Sequence, residues 1–317
     1  MKKVKLLFPL LCLSAMMVHA SIKPDSSFAE TKIALQTRTG EIHGTLTVPE
    51  KSGKPPVALI IAGSGPTDRD GNNPMMKNNS LKILATELAK NGIATVRYDK
   101  RGIAESKGAS KSESDLRFDD YVSDAKEWIQ LLKKDKRFSK VIVIGHSEGS
   151  LLGMMAATSA DKFVSIAGAG QSADKILKEQ LKTQPQQVQD MTFPIIDSLK
   201  NGKMVENVNP MLNSLFRQSV QPYLISWFKY DPQSEIGRLT IPVLIVQGTN
   251  DIQVSVEDAK RLAAANHKAK LILVDKMNHI FRRVEEEDRQ ANIATYSNSD
   301  LPIAAELVKS TVKFILD

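Results

Sequence analysis

The chain has 317 residues, with 43 Lys and Arg against 36 Asp and Glu and a single cysteine, Cys12. Its lysines are scattered, with no basic block interleaved with aromatics, so no nucleic-acid surface is expected, and one thiol excludes a disulfide framework. The length suits one large domain carrying an insertion.

The chain opens Met1-Lys2-Lys3-Val4-Lys5, then runs apolar from Leu6 to Val18 and reaches Val18-His19-Ala20. A basic start, a short apolar stretch and small residues behind it predict a signal peptide over residues 1–20, cut after Ala20. The run is too short for a membrane span. Leu11 precedes Cys12 where lipid attachment needs a small residue, so a lipoprotein is not expected. An exported protein follows, destined for the periplasm or for release outside the cell, with no stable membrane insertion. Cleavage removes Lys2, Lys3, Lys5 and Cys12, leaving a less basic chain without a thiol.

Residues 21–28 read as a short disordered lead. Residues 31–37 and 41–48 alternate polar and apolar around Thr39-Gly40 and predict an antiparallel hairpin at a sheet edge. Residues 57–61 are a buried strand that opens into Gly63-Ser64-Gly65-Pro66-Thr67-Asp68-Arg69-Asp70-Gly71. A helix over about 81–90 ends at Asn91-Gly92, and a strand over 93–98 runs into Asp99-Lys100-Arg101-Gly102. Residues 115–134 have helical periodicity, 141–144 are a buried strand, 151–157 a buried helix and 163–166 another strand. From 171 to 236 buried-strand runs are missing and helix formers dominate, which predicts a helical insertion. Strand 243–246, helix 256–265, strand 271–274 and a closing helix over 301–316 complete the pattern. Alternating strands and helices with buried strands predict an α/β fold, a mostly parallel sheet covered on both faces. The core thus spans 21–170 and 237–317.

Between strand 141–144 and the helix behind it lies Gly145-His146-Ser147-Glu148-Gly149. Strand, Gly-x-Ser-x-Gly, helix is the nucleophile elbow, which exposes a strained serine at the end of a buried strand. A serine nucleophile needs a base, and the base an orienting acid. His43 lies in the edge hairpin, His146 cannot bend back onto its neighbour's hydroxyl, and His267 sits in a polar turn. His279, in the loop after the last strand, is left as the base. Asp251, in Gly248-Thr249-Asn250-Asp251 after the preceding strand, is the acid, and the order Ser147, Asp251, His279 suits a serine hydrolase of this architecture. Asp275 is the rival acid, too near His279 along the same strand. The oxyanion hole takes the backbone N–H of Glu148 and that of Ser64; Pro66 has none.

These pieces, with Tyr98-Asp99-Lys100-Arg101-Gly102 and Asn278-His279, resemble the α/β-hydrolase superfamily, in its lysophospholipase-like and serine aminopeptidase-like branch of esterases. The resemblance covers most of the chain after the signal. It implies an eight-stranded sheet, a helical cap after the sixth strand and no cofactor. Ala62 departs from it, standing where many relatives carry a histidine that braces the oxyanion loop.

Asp68, Asp70 and Asn72 mimic the start of a calcium loop, but Asn73 and Asn79 stand where glycine and glutamate are required, so no metal is expected. Asp68-Arg69-Asp70 is expected to hold the oxyanion loop, and Arg101 its neighbour. Glu285 to Asp288 read as a solvated acidic face. The aromatics Phe193, Phe216, Tyr223, Trp227, Phe228 and Tyr230 either line a pocket or seat the insertion on the sheet. The expected activity is hydrolysis of small carboxylic esters, with short acyl chains, through an acyl-enzyme. Acyl transfer, aminopeptidase activity and a non-catalytic binding protein on the same fold are the alternatives.

Overall fold

The computed structural model describes residues 27–50, 53–110, 112–285 and 288–317. The expected signal peptide, Cys12 and most of the expected lead lie outside them.

Eight strands form one sheet in the order β1-β2-β4-β3-β5-β6-β7-β8. The hairpin of β1 (Phe28–Thr37) and β2 (Gly40–Pro49) makes one edge, and β2 runs antiparallel to β4 (Ala94–Tyr98). From β4 onward all pairings are parallel, through β3 (Val57–Ile61), β5 (Val141–His146), β6 (Lys162–Ile166), β7 (Val243–Gly248) and β8 (Lys270–Val274). Every residue of β3, β4, β5, β6 and β7 is buried, which is why these segments read as continuous runs and not as alternations.

The two faces nevertheless keep the period of two. Val141 and Val143 join an apolar cluster with Trp128 of α2 (Phe118–Lys134) and Leu152 of α3 (Glu148–Ala156). Ile142 and Ile144 join the opposite cluster with Leu84 of α1 (Ser80–Lys90). Between β6 and β7 come the inserted helices α4 (Ala173–Leu181), α5 (Gln186–Lys200), α6 (Asn213–Phe216), α7 (Gln221–Trp227) and α8 (Pro232–Gly237). The chain then adds α9 (Val256–Ala265), α10 (Arg289–Ala294) and α11 (Ala305–Leu316).

Several boundaries differ from expectation, and α3 begins at Glu148 instead of Leu151. The lead is shorter, because β1 begins at Phe28. Helix α2 begins at Phe118, since the Asp120 carboxylate accepts from Arg117 N–H at 2.7 Å and sets the start there. Helix α11 begins at Ala305, because Ala304 N–H is drawn to Phe281 O at 2.7 Å and Pro302 restrains the residue before it. Helix α10 was not foreseen; Asp288 caps it by accepting from Gln290 N–H at 2.9 Å, a role hidden in the acidic run.

Parallel strands bring their carboxyl ends to one side of the sheet. That side collects the loops after β3, β4, β5, β7 and β8. At its centre α3 packs so closely on β5 and β3 that a Cβ on Gly145 would meet Gly149 O at 2.2 Å, and one on Gly149 would meet Ile61 O of β3 at 2.3 Å. Gly145→Ala is therefore expected to destabilise the fold by roughly 2 kcal/mol, read from chemical denaturation. Gly108→Ala, where nothing lies within 4 Å of the added carbon, is the expected neutral control.

Candidate active site

Ser147 sits at φ 55° and ψ −121°, a conformation that side chains rarely adopt and that costs about 1–3 kcal/mol. Backbone bonds hold it there: Ser147 N–H donates to Ile166 O at 3.0 Å, and Ser150 N–H to Ser147 O at 2.9 Å. The strain points the side chain away from the strand and helix that flank it. The loop after β3 lies alongside, for a Cβ on Gly63 would stand 3.2 Å from the Ser147 Cβ.

His279 and Asp251 are joined: His279 Nδ1 lies 2.8 Å from Asp251 Oδ2. A carboxylate accepts, so Nδ1 carries the hydrogen and Nε2 is left as the basic nitrogen. Asp251 also accepts from Gln253 N–H at 2.8 Å, Val254 N–H at 3.0 Å and Gln247 Nε2 at 3.1 Å. Burial would raise its pKa, but the His279 charge, its hydrogen bond and the two backbone donors outweigh burial and hold the carboxyl below its ordinary value. Asp251 is thus an anchored carboxylate. No hydrogen bond joins Ser147 Oγ to His279 in this structure; such bonds are often long in free enzymes and tighten with substrate.

The other candidates lie elsewhere. Asp275 is 68% exposed and faces Arg283 at 3.9 Å on the surface. His267 is exposed, and His43 pairs loosely with Glu41 at 3.7 Å. His146 has a role that its sequence position did not suggest. Its buried ring packs 4.8 Å from the His279 ring, and Nε2 donates to the His279 carbonyl at 2.9 Å. Burial, then the neighbouring His279 charge, lowers its pKa from 6.5 to about 3. His146 therefore stays neutral and holds the His279 backbone. Asn278 stitches the same loop, its carboxamide donating to Thr295 Oγ1 at 2.8 Å and accepting from Arg282 N–H at 2.9 Å.

The backbone N–H groups of Ser64 and Glu148 have no carbonyl partner among the described residues. Both residues line the same cavity of about 560 Å³ as Ser147. Glu148 opens α3, so its N–H stands at the positive end of a helix. The loop after β3 is tied down by charge: Arg69 bonds Asp99 and Glu105, each at 2.5 Å, and Arg97 Nε bonds Asp70 at 2.7 Å. The Asp68 carboxylate is occupied by Asp70 and Asn72 N–H groups at 2.9 and 2.8 Å, a turn and not a calcium loop. Arg101 likewise braces its neighbourhood through Asp124, with Nε 3.0 Å from Oδ2. Among the described residues no cluster of three His, Cys, Asp or Glu could hold a metal, and no helix is long and apolar enough to cross a membrane.

The aromatics of the insertion divide between the two expected roles. Phe216, Tyr223 and Trp227 line the cavity. Phe228 is fully buried in the core, and Tyr230 bonds Asp119 and packs on Phe118 at 5.6 Å. Trp227 does both, since it also stacks on Phe118 at 5.9 Å. Phe193 lies under Lys178 at 5.6 Å, away from the cavity. A larger groove of about 610 Å³ between α1 and α11 contains none of the expected site residues.

An elbow serine, a carboxylate-bound histidine and two free amides at the carboxyl end of a mixed sheet define an α/β-hydrolase architecture. Comparisons agree. The family described as "Serine aminopeptidase, S33" matches residues 78–215. Esterase EstD of Thermotoga maritima is 28% identical over 302 residues, 90% of this chain and 68% of that protein. Est1E from Butyrivibrio proteoclasticus, in a structure with ferulic acid bound, superposes with a TM-score of 0.60 at 17% identity, covering 90% of this chain and all of that one. The esterase Pf2001 of Pyrococcus furiosus gives 0.57 at 15% identity, covering 92% of each chain. The chain thus has the α/β-hydrolase fold and is similar to serine aminopeptidase- and esterase-type proteins.

Because the folded pKa of His146 lies below the unfolded one, the unfolded state binds the extra proton between pH 6.5 and about 3, and stability falls as pH drops through that window. One proton corresponds to a slope of about 1.4 kcal/mol per pH unit. His146→Gln is expected to flatten the fall, measured as denaturation midpoints across this range.

Proposed function

We propose that the protein is an exported serine esterase that hydrolyses small carboxylic esters through an acyl-enzyme. The observation that carries this reading is the 2.8 Å bond between His279 Nδ1 and the anchored Asp251, beside an elbow serine. His279 Nε2 takes the proton from Ser147 Oγ, which attacks the ester carbonyl carbon. The N–H groups of Ser64 and Glu148 face the developing oxyanion, and Asp251 stabilises the imidazolium. His279 then protonates the leaving alcohol, and a water molecule repeats the sequence on the acyl-serine. The first residues of the chain support export, with the periplasm as destination.

The walls favour an ester over a peptide with a free amine. Leu151, Ile176, Phe216, Leu224 and Trp227 make the cavity largely apolar, and its volume suits a compact ligand. Glu148 is the one carboxylate among the described lining residues, and Lys100 already neutralises it at 2.9 Å. A peptide's ammonium group would find no free anion there. Ferulic acid in the Est1E structure supports including an ester of an aromatic acid among the substrates tested.

Three measurements test the reading. A series of p-nitrophenyl esters from acetate to palmitate, with methyl ferulate, is expected to show turnover peaking at short chains and none with Ser147→Ala. No turnover of any ester by folded wild-type protein, and no labelling by a fluorophosphonate, would sink it. Asp251→Asn is expected to lower kcat by roughly 10³–10⁴-fold, because the amide no longer selects the His279 tautomer; a loss confined to KM would contradict that role.

A further inference from the structure

Lys100 follows β4, and no step of the proposed reaction uses it. Its side chain is 1% exposed. The ammonium donates to Gly63 O at 2.6 Å and to Glu148 Oε1 at 2.9 Å, and the Tyr121 ring lies 5.0 Å away. We propose that Lys100 is a positioning residue for catalysis, a single buried cation that aims both backbone donors of the oxyanion hole. The inference rests on the esterase reading above.

The reason is peptide planarity. The Gly63 carbonyl and the Ser64 N–H belong to one trans peptide, so they point in opposite directions from one rigid plane. A bond that pins the Gly63 oxygen therefore pins the direction of the Ser64 N–H. The plane would otherwise be free to turn, since glycine precedes it and Ser64 and Gly65 are exposed. A cation on the carbonyl also polarises the peptide and makes its N–H a stronger donor. The second donor is the N–H of Glu148, whose carboxylate is held by the same ammonium. One side chain thus ties the loop after β3 to the elbow after β5.

Stability is a weaker explanation for the pair. Two buried charges give up their hydration, and replacing such a pair by apolar residues is commonly neutral or stabilising. A buried cation kept against the underside of the oxyanion loop is better explained by aim.

Lys100→Met alone strands a buried carboxylate, so the decisive variant is Lys100→Met with Glu148→Leu, which removes both charges and leaves the Glu148 backbone in place. It is assayed on the p-nitrophenyl ester that the wild type hydrolyses best, with folding checked by circular dichroism and thermal denaturation. The expected result is a fall in kcat of about 10²-fold, the size of losing one oxyanion donor, with KM and the pH dependence of kcat little changed. Affinity for an alkylboronic acid, which forms a tetrahedral adduct on serine, should weaken in parallel. A folded double variant with wild-type kcat, or with its loss confined to KM, overturns the inference while leaving the esterase reading intact. An inactive wild type that fluorophosphonate does not label overturns both. Should the double variant not fold, Lys100→Ala decides. Partial recovery of kcat with propylammonium chloride, against matched sodium chloride, is expected, and no recovery overturns the proposal.

Discussion

The structure turns on how closely α3 approaches β5 at Gly145 and β3 at Gly149. Any Cβ there would overlap backbone on the facing segment, so the helix can meet these strands only over bare glycine. Ser147, caught between them, is forced to φ 55° and ψ −121°. The strain is local, but what sustains it is not: β3 and β6 pair on either side of β5, and Ile166 O holds the Ser147 amide. A single backbone position is over-determined by three strands and a helix. That is how an uncommon conformation persists, and how the serine is presented instead of buried.

Two buried polar arrays flank that position, and each answers the penalty of burial differently. Asp251 is surrounded by donors from Gln247, Gln253, Val254 and His279, so it stays charged out of contact with water. Lys100 and Glu148 neutralise one another directly, and the remaining ammonium hydrogen bond goes to Gly63 O. A fixed dipole or charge in a dry site needs no reorganisation when a reaction develops charge beside it. The helical insertion completes the enclosure. Its Trp227 and Tyr223 pack on Phe118 and Tyr121 of α2 while facing the cavity, so one set of aromatics both seats the insertion and shapes the site.

Much of this was legible in the chain. Runs such as Val141 to Ile144 announce strands covered on both faces, because a sheet flanked by helices has no polar side to mark. The glycines around Ser147 announce the elbow, and the order of Ser147, Asp251 and His279 follows from where parallel strands must end. Helix starts were less legible, because a proline at 302 and a capping carboxylate at 120 act through local geometry that periodicity does not record. Helix α10 was masked by the acidic run before it, which looks the same whether it solvates a surface or caps a helix.

What sequence alone determined is therefore the alternation of elements and the residues that could serve as nucleophile, base, acid and oxyanion donors, since burial pattern and glycine placement are written along the chain. Tertiary structure alone decided the partnerships. His146 looked idle because its ring cannot reach its neighbour's hydroxyl, yet folding brings it to the carbonyl of His279, 133 positions away. Lys100 had no role of its own within Tyr98-Asp99-Lys100-Arg101-Gly102, and only the pairing of β3 with β4 and β5 sets it beneath Gly63 and Glu148. Such contacts join residues with no periodic relation to each other. They exist only when strands distant in the chain lie side by side.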